Sequence, residues 1–92
     1  MAFDDDDPIR PDGLGIRRRR RGRGWSRADL TAAVEQRTRE ATGRAEGLSR
    51  NLLQGIEEAN ERVPYGVVSR IALALDCNPV ELVLLDAPPP DA

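Results

Sequence analysis

Residues 47–85 read GLSRNLLQGIEEANERVPYGVVSRIALALDCNPVELVLL, and this stretch decides the fold. Ser49 is a good helix N-cap, because its hydroxyl can accept from a free first-turn amide. Behind it, Leu48, Leu52, Leu53 and Ile56 recur at helical spacing, while Arg50, Asn51, Gln54 and Gly55 fall elsewhere. A polar loop, residues 57–62, ends at Val63-Pro64. Proline suits the first turn of a helix, so a second helix is expected from about Pro64, burying Val67, Val68, Ile71, Ala72 and Leu75. Asp76-Cys77-Asn78-Pro79 resets the chain, and residues 80–85 are expected to form a short last helix.

Working outward, a first helix is expected over residues 14–23, stopped by Gly24 and poor in apolar side chains apart from Leu14 and Ile16. Ser26 and Asp29 resemble a capping box. The second helix they open carries Leu30, Ala33 and Val34 on one face. Beyond Val34 its stripe fades. The pairs Glu35/Arg39 and Glu40/Arg44 place the acid four residues before the base, which favours an exposed helix. That helix is expected to protrude to about Ala41, where Thr42-Gly43 breaks it. Residues 1–12 read as a disordered acidic arm and residues 87–92 as an extended proline-rich tail, flanking one domain over residues 13–86. No strand is expected. The fold class is all-α, a compact five-helix bundle with an extended second helix and disordered termini.

Ninety-two residues make one domain. Aromatics are 3% of the chain, so the core must come from Leu, Val, Ile and Ala, which suits helices better than a sandwich. With no histidine and a single cysteine, Cys77, there is no internal disulfide, no zinc-ligand spacing and no Ser-His or Cys-His nucleophile. The expectation is a non-enzyme without cofactor or metal. No apolar run approaches the roughly 20 residues that span a bilayer. The acidic start is no signal peptide, so a cytoplasmic place is expected. Trp25 is expected as a core anchor and Cys77 as a small packed residue.

Net charge is −2, but the charge is segregated. Residues 1–15 set Arg10 against five aspartates, residues 16–50 set 11 arginines against four acids, and residues 51–92 set two arginines against seven acids. The central field, a net +7, is what a phosphate backbone would feel.

These residues together resemble the Cro/repressor-type (XRE-like) helix-turn-helix family. Ile16, Arg17 and Arg20 resemble its first helix. Gly24-Trp25-Ser26-Arg27 with Leu30 resembles the start of its second, and Gly47-Leu48-Ser49 its turn. Leu53, Ile56 and Glu57 resemble its recognition helix. Val63-Pro64, residues 71–75 and residues 79–82 resemble its last helices. The resemblance covers about residues 14–85. It departs in three places. The connection between the second and third helices is about a dozen residues longer than a 3–4-residue turn. Arg19 stands where the family buries Leu. The loop after the third helix carries Glu57, Glu58 and Glu61 where the family is often basic.

The resemblance implies a transcriptional regulator whose third helix enters the major groove of double-stranded DNA. Arg50, Asn51 and Gln54 are the candidate base contacts, since Arg pairs bidentately with guanine and Asn or Gln with adenine. Arg17, Arg18, Arg21, Arg23, Arg27 and Ser49 are the candidate backbone contacts. Arg20 and Glu57 are the implied structural ion pair. Leu82, Val83, Leu84 and Leu85 are a candidate homodimer surface, with packing onto the domain itself as the competing reading. Residues 4–7 read as a solubilising tail or as a competitor for the arginine block. The alternative function is a protein-interaction module, an antitoxin or small regulator acting through polymerase or another DNA-bound protein.

Overall fold

The computed structural model describes residues 3–84. Its elements are β1 (Pro8–Ile9), α1 (Gly13–Gly22), α2 (Arg27–Thr42), α3 (Arg50–Ala59), β2 (Val63–Pro64), α4 (Tyr65–Leu75) and a 3-10 turn (Pro79–Leu82). Mostly helical, it departs from five α-helices in two ways. The last element is 3-10, because Asn78 and Glu81 form a reciprocal cap around Pro79 and close a turn too short to propagate. A small antiparallel sheet is also present, with Ile9 opposite Val63.

Residues 3–12, expected as a disordered arm, are built into the body. Ile9 is 5% exposed and belongs to the core. Pro11 bridges to Val83, Asp12 N donates to Leu82 O at 2.7 Å, and Leu84 N donates to Arg10 O at 2.8 Å. The arm also completes α4. A helix leaves its first amides without internal partners, and Pro64 offers no side-chain cap. Tyr65 N donates instead to Asp7 O at 2.8 Å and Gly66 N to Asp5 O at 2.9 Å. The aspartates thereby sit at the positive end of the α4 dipole, where carboxylates are favoured.

α1 and α3 pack closely. A Cβ at Gly13 would collide with the Ile56 carbonyl and crowd Glu57 Cα. Only glycine lets the α1 start lie there, and its amide donates to Asn60 Oδ1 at 3.0 Å. Asn60, left-handed at φ 49°, also ends α3.

α2 opens on a full capping box, Ser26 Oγ accepting from Asp29 N at 3.1 Å and Asp29 Oδ2 from Ser26 N at 2.9 Å. It ends at Gly43, left-handed at φ 79°. The extra residues both lengthen this helix and form the connection 43–49. The buried stripe of α2 does not fade at Val34 but continues to Thr38, 2% exposed. That burial is possible because Thr38 Oγ1 donates to Val34 O at 2.8 Å and accepts from Glu46 N at 2.9 Å. The connection thus folds back on α2, and Arg70 Nη1 donates to Glu46 Oε2 at 3.1 Å to hold it against α4.

The core is Ile16, Leu30, Val34, Leu53, Ile56, Val68, Ile71 and Leu82, each fully buried, with Leu48, Val67 and Leu75 around them. Trp25 and Cys77 are half-buried against it. Leu82 and Val83, expected on a dimer surface, are 0% and 9% exposed and belong to this core; only Leu84, at 36%, is open. Leu85 and residues 87–92 lie outside the described residues. Among the described residues no helix is long and apolar enough to cross a membrane.

Candidate nucleic-acid interface

The site grows from the run Arg17 to Arg21 on α1, whose members the helix divides by direction. A residue turns about 100° from the last along an α-helix, so positions four apart share a face. Arg20 points inward and is 6% exposed. Its Nε and Nη2 donate to the two oxygens of Glu57 at 2.8 Å each, and Nη1 donates to Trp25 O at 2.8 Å. This is bidentate pairing, the strongest geometry a guanidinium offers a carboxylate. The Glu57 hydrogen bond raises the Arg20 pKa above its ordinary value despite burial. Burial works to push the Glu57 carboxyl up, but hydrogen bonds from Arg20 and Arg27, with their charges, hold it below the ordinary range.

Arg19 and Arg23 share a second face, and both meet acids of the chain itself. Arg19 Nη2 lies 3.6 Å from Glu81. Arg23 Nη2 donates to Leu75 O at 3.0 Å and approaches Asp76 at 3.4 Å, with its guanidinium 5.1 Å over the Trp25 ring. Arg37 Nη1 reaches the other oxygen of Asp76 at 3.0 Å. That hydrogen bond lowers the Asp76 pKa.

Arg17 and Arg21 share the third face. They line an open cleft of about 590 Å³ with Arg20, Ser26, Arg27, Ala28, Arg50 and Glu58. The starts of α2 and α3 thus meet the arginine face of α1. Arg17 Nε is out of solvent and has no hydrogen-bond partner among the described residues. Arg27 is held at the cleft wall, its Nε donating to Glu57 Oε1 at 3.2 Å and Nη2 lying 3.6 Å from Glu58. Arg18, Arg23 and Ser49 do not line the cleft. Ser49 caps α3, its hydroxyl accepting from Leu52 N at 3.0 Å. Arg50, Asn51 and Gln54 are exposed on the first turns of α3.

Glu58, which the sequence shows only as one of three acids at 57, 58 and 61, is the one acid among the described residues that lines this cleft, and its place beside Arg27 is set by the fold. The acidic stretch expected as a loop over residues 57–62 begins inside α3, which runs on to Ala59, and it presents less charge than it carries because Glu57 is buried between Arg20 and Arg27. Gly55 is close-packed internally, since a Cβ there would meet the Glu61 carboxylate. A separate concavity of about 400 Å³ is lined by Asp5, Asp6, Glu46 and Arg70 among others, and its acids make it unsuited to phosphate. Residues 4–7 are engaged with α4 through Tyr65 and Gly66.

Comparison with family models, curated proteins and solved structures finds no match for this chain.

Proposed function

We propose that the chain is a sequence-specific double-stranded DNA-binding regulator of transcription, reading the major groove with the start of α3. The observation that carries this is the gathering of Arg17, Arg21, Arg27 and Arg50 around one open cleft, beside the exposed Asn51 and Gln54. Clustered arginines on one face are the electrostatic footprint of a phosphate-backbone reader. A short polar helix start next to them supplies side chains that can distinguish bases. The order of motifs resembling the Cro/repressor-type family supports the same reading. In it, Arg50 and Asn51 contact bases, with Gln54 beside them, and Arg17, Arg18, Arg21 and Arg27 hold phosphate. Arg20 and Glu57 tie α1 to α3 beneath.

Selection from a randomised duplex library, followed by anisotropy titration at physiological salt, tests this. A defined motif is expected. Arg50→Ala should relax preference at one position, at a cost of about 1–3 kcal/mol, while Arg21→Ala weakens all sequences alike. Absence of any site preference would sink the proposal.

One observation favours a second reading, a protein-interaction module such as an antitoxin or a regulator acting through the transcription machinery. Residues 43–49 replace the tight turn that normally fixes the recognition helix. Partner capture that survives nuclease treatment, together with no duplex binding, would favour it. A homodimer, in either reading, would use Leu84 and the exposed Val80 and not the buried Leu82 and Val83.

A further inference from the structure

We propose that the α1/α2/α3 cleft is an oligophosphate site in its own right, taking a free diphosphate group, inorganic or carried by a nucleotide, in competition with polynucleotide phosphate. The cleft holds more positive charge than the described residues neutralise. Arg17, Arg20, Arg21, Arg27 and Arg50 face Glu58 and the underlying Glu57, which leaves a formal +3. Arg20 commits three of its five N–H donors to Glu57 and Trp25 and serves as the floor. Arg17 and Arg21 form one wall, four residues apart on α1; Arg27 and Arg50 form the other, from the starts of α2 and α3.

Three features point to a compact, multiply charged anion. Arg17 Nε is out of solvent and has no acceptor among the described residues, although a guanidinium presents its donors in a fixed fork suited to phosphate oxygens. The starts of α2 and α3 bring two positive dipole ends to the same place. Arg17, Arg21, Arg27 and Arg50 around one open cleft offer a compact anion more than one guanidinium to pair with. Orthophosphate carries only about −1.5 to −2 near neutral pH, whereas a diphosphate spans two adjacent groups and carries more charge.

Binding needs one internal rearrangement. Glu58 lies 3.6 Å from Arg27 Nη2 and occupies part of the charge that the ligand would meet. It turns outward as Arg27 turns to the ligand, while Arg27 Nε stays on the buried Glu57. Glu58 therefore acts as a built-in counter-ion that weak anions fail to displace, and the site discriminates oligophosphate from sulfate.

Calorimetric titration of the full chain with inorganic diphosphate, a nucleoside diphosphate, orthophosphate and sulfate reads this directly, and the tighter of the first two identifies the source of the group. Diphosphate should bind at least about tenfold more tightly than orthophosphate or sulfate, as charge-assisted bonds from both walls add. The double change Arg17→Gln, Arg21→Gln should weaken diphosphate by at least about tenfold, Arg44→Gln should leave it unchanged, and Glu58→Gln should tighten it. Should the double variant fail to fold, the Arg17 Nε–H resonance of the unaltered protein must shift on adding diphosphate. Equal affinity for inorganic diphosphate, orthophosphate and sulfate, or no change at the Arg17 resonance, overturns the proposal. A chain that binds diphosphate through this cleft but shows no duplex binding removes the DNA reading and leaves this one standing. A chain that binds duplex DNA and is not displaced by diphosphate removes this one.

Discussion

Two faces of α1 carry the same residue type to opposite ends. On one, Arg19 and Arg23 pair with Glu81 and Asp76 and fasten the first helix to the end of α4 and the turn after it. On the other, Arg17 and Arg21 form no ion pair among the described residues and open onto a cleft whose one described acid is Glu58. Between them Arg20 is buried on Glu57. A contiguous run of five arginines is therefore not one basic patch. Helical periodicity sorts it into a fastening, a buried tie and a free cationic surface, and only the last is available to a partner.

The sharpest way to break this division is at the buried tie. Glu57→Ala leaves Arg20 without its carboxylate in the α1/α3 interface and should cost about 3–5 kcal/mol in urea unfolding. A loss under about 1 kcal/mol would mean that Arg20 is not structurally committed. The same tie gives a pH signature. Because the folded-state Glu57 pKa is lowered, its contribution is present above the ordinary value of 4.5 and is lost as pH falls through the folded value. Unfolding midpoints followed from pH 6 downward should fall below about pH 4.5. Glu57→Gln should flatten that part of the curve.

Next in size is the contrast between the two outer faces. Arg17→Gln with Arg21→Gln should reduce the slope of log affinity for duplex DNA against log salt by about 1.8, two phosphate contacts at 0.9 each, with little change in stability. Arg19→Gln with Arg23→Gln should leave that slope alone. If both pairs behave alike, the division by face is wrong. Smallest is Arg19→Gln by itself, which removes an exposed pair at 3.6 Å and should cost under about 1 kcal/mol in thermal or urea unfolding.

Much of the helical frame is legible in the sequence. Ser26 and Ser49 announce α2 and α3, Gly43 closes α2, and Leu53 and Ile56 or Val68 and Ile71 keep the 3.6-residue period that a buried face requires. What the sequence hides has physical causes. A strand of two residues, Pro8–Ile9, is too short to show any period. The arm looks disordered because composition weighs its aspartates, whereas the structure uses their backbone carbonyls to cap α4. Thr38 reads as polar until its hydroxyl finds both a donor and an acceptor. The last helix reads as α because Val80, Leu82 and Val83 are apolar, but the cap at Asn78 and Glu81 confines it to one tight turn. For the site, residue types point to phosphate, but which arginines are free depends on the acids at 57, 76 and 81, far along the chain.

The pairing of residues 8–12 with Val63, Pro64, Leu82 and Val83 carries a consequence for biogenesis. During synthesis the segment holding Ile9 is made well before its partners. Until Val63 and Pro64 emerge, Ile9 has no strand to join, and the Asp5 and Asp7 carbonyls have no α4 amides to accept from. Closing the seam joins residue 9 to residue 63 and residue 11 to residue 83, and contacts so far apart in sequence slow folding. The seam therefore cannot close until the chain has been made through Val83.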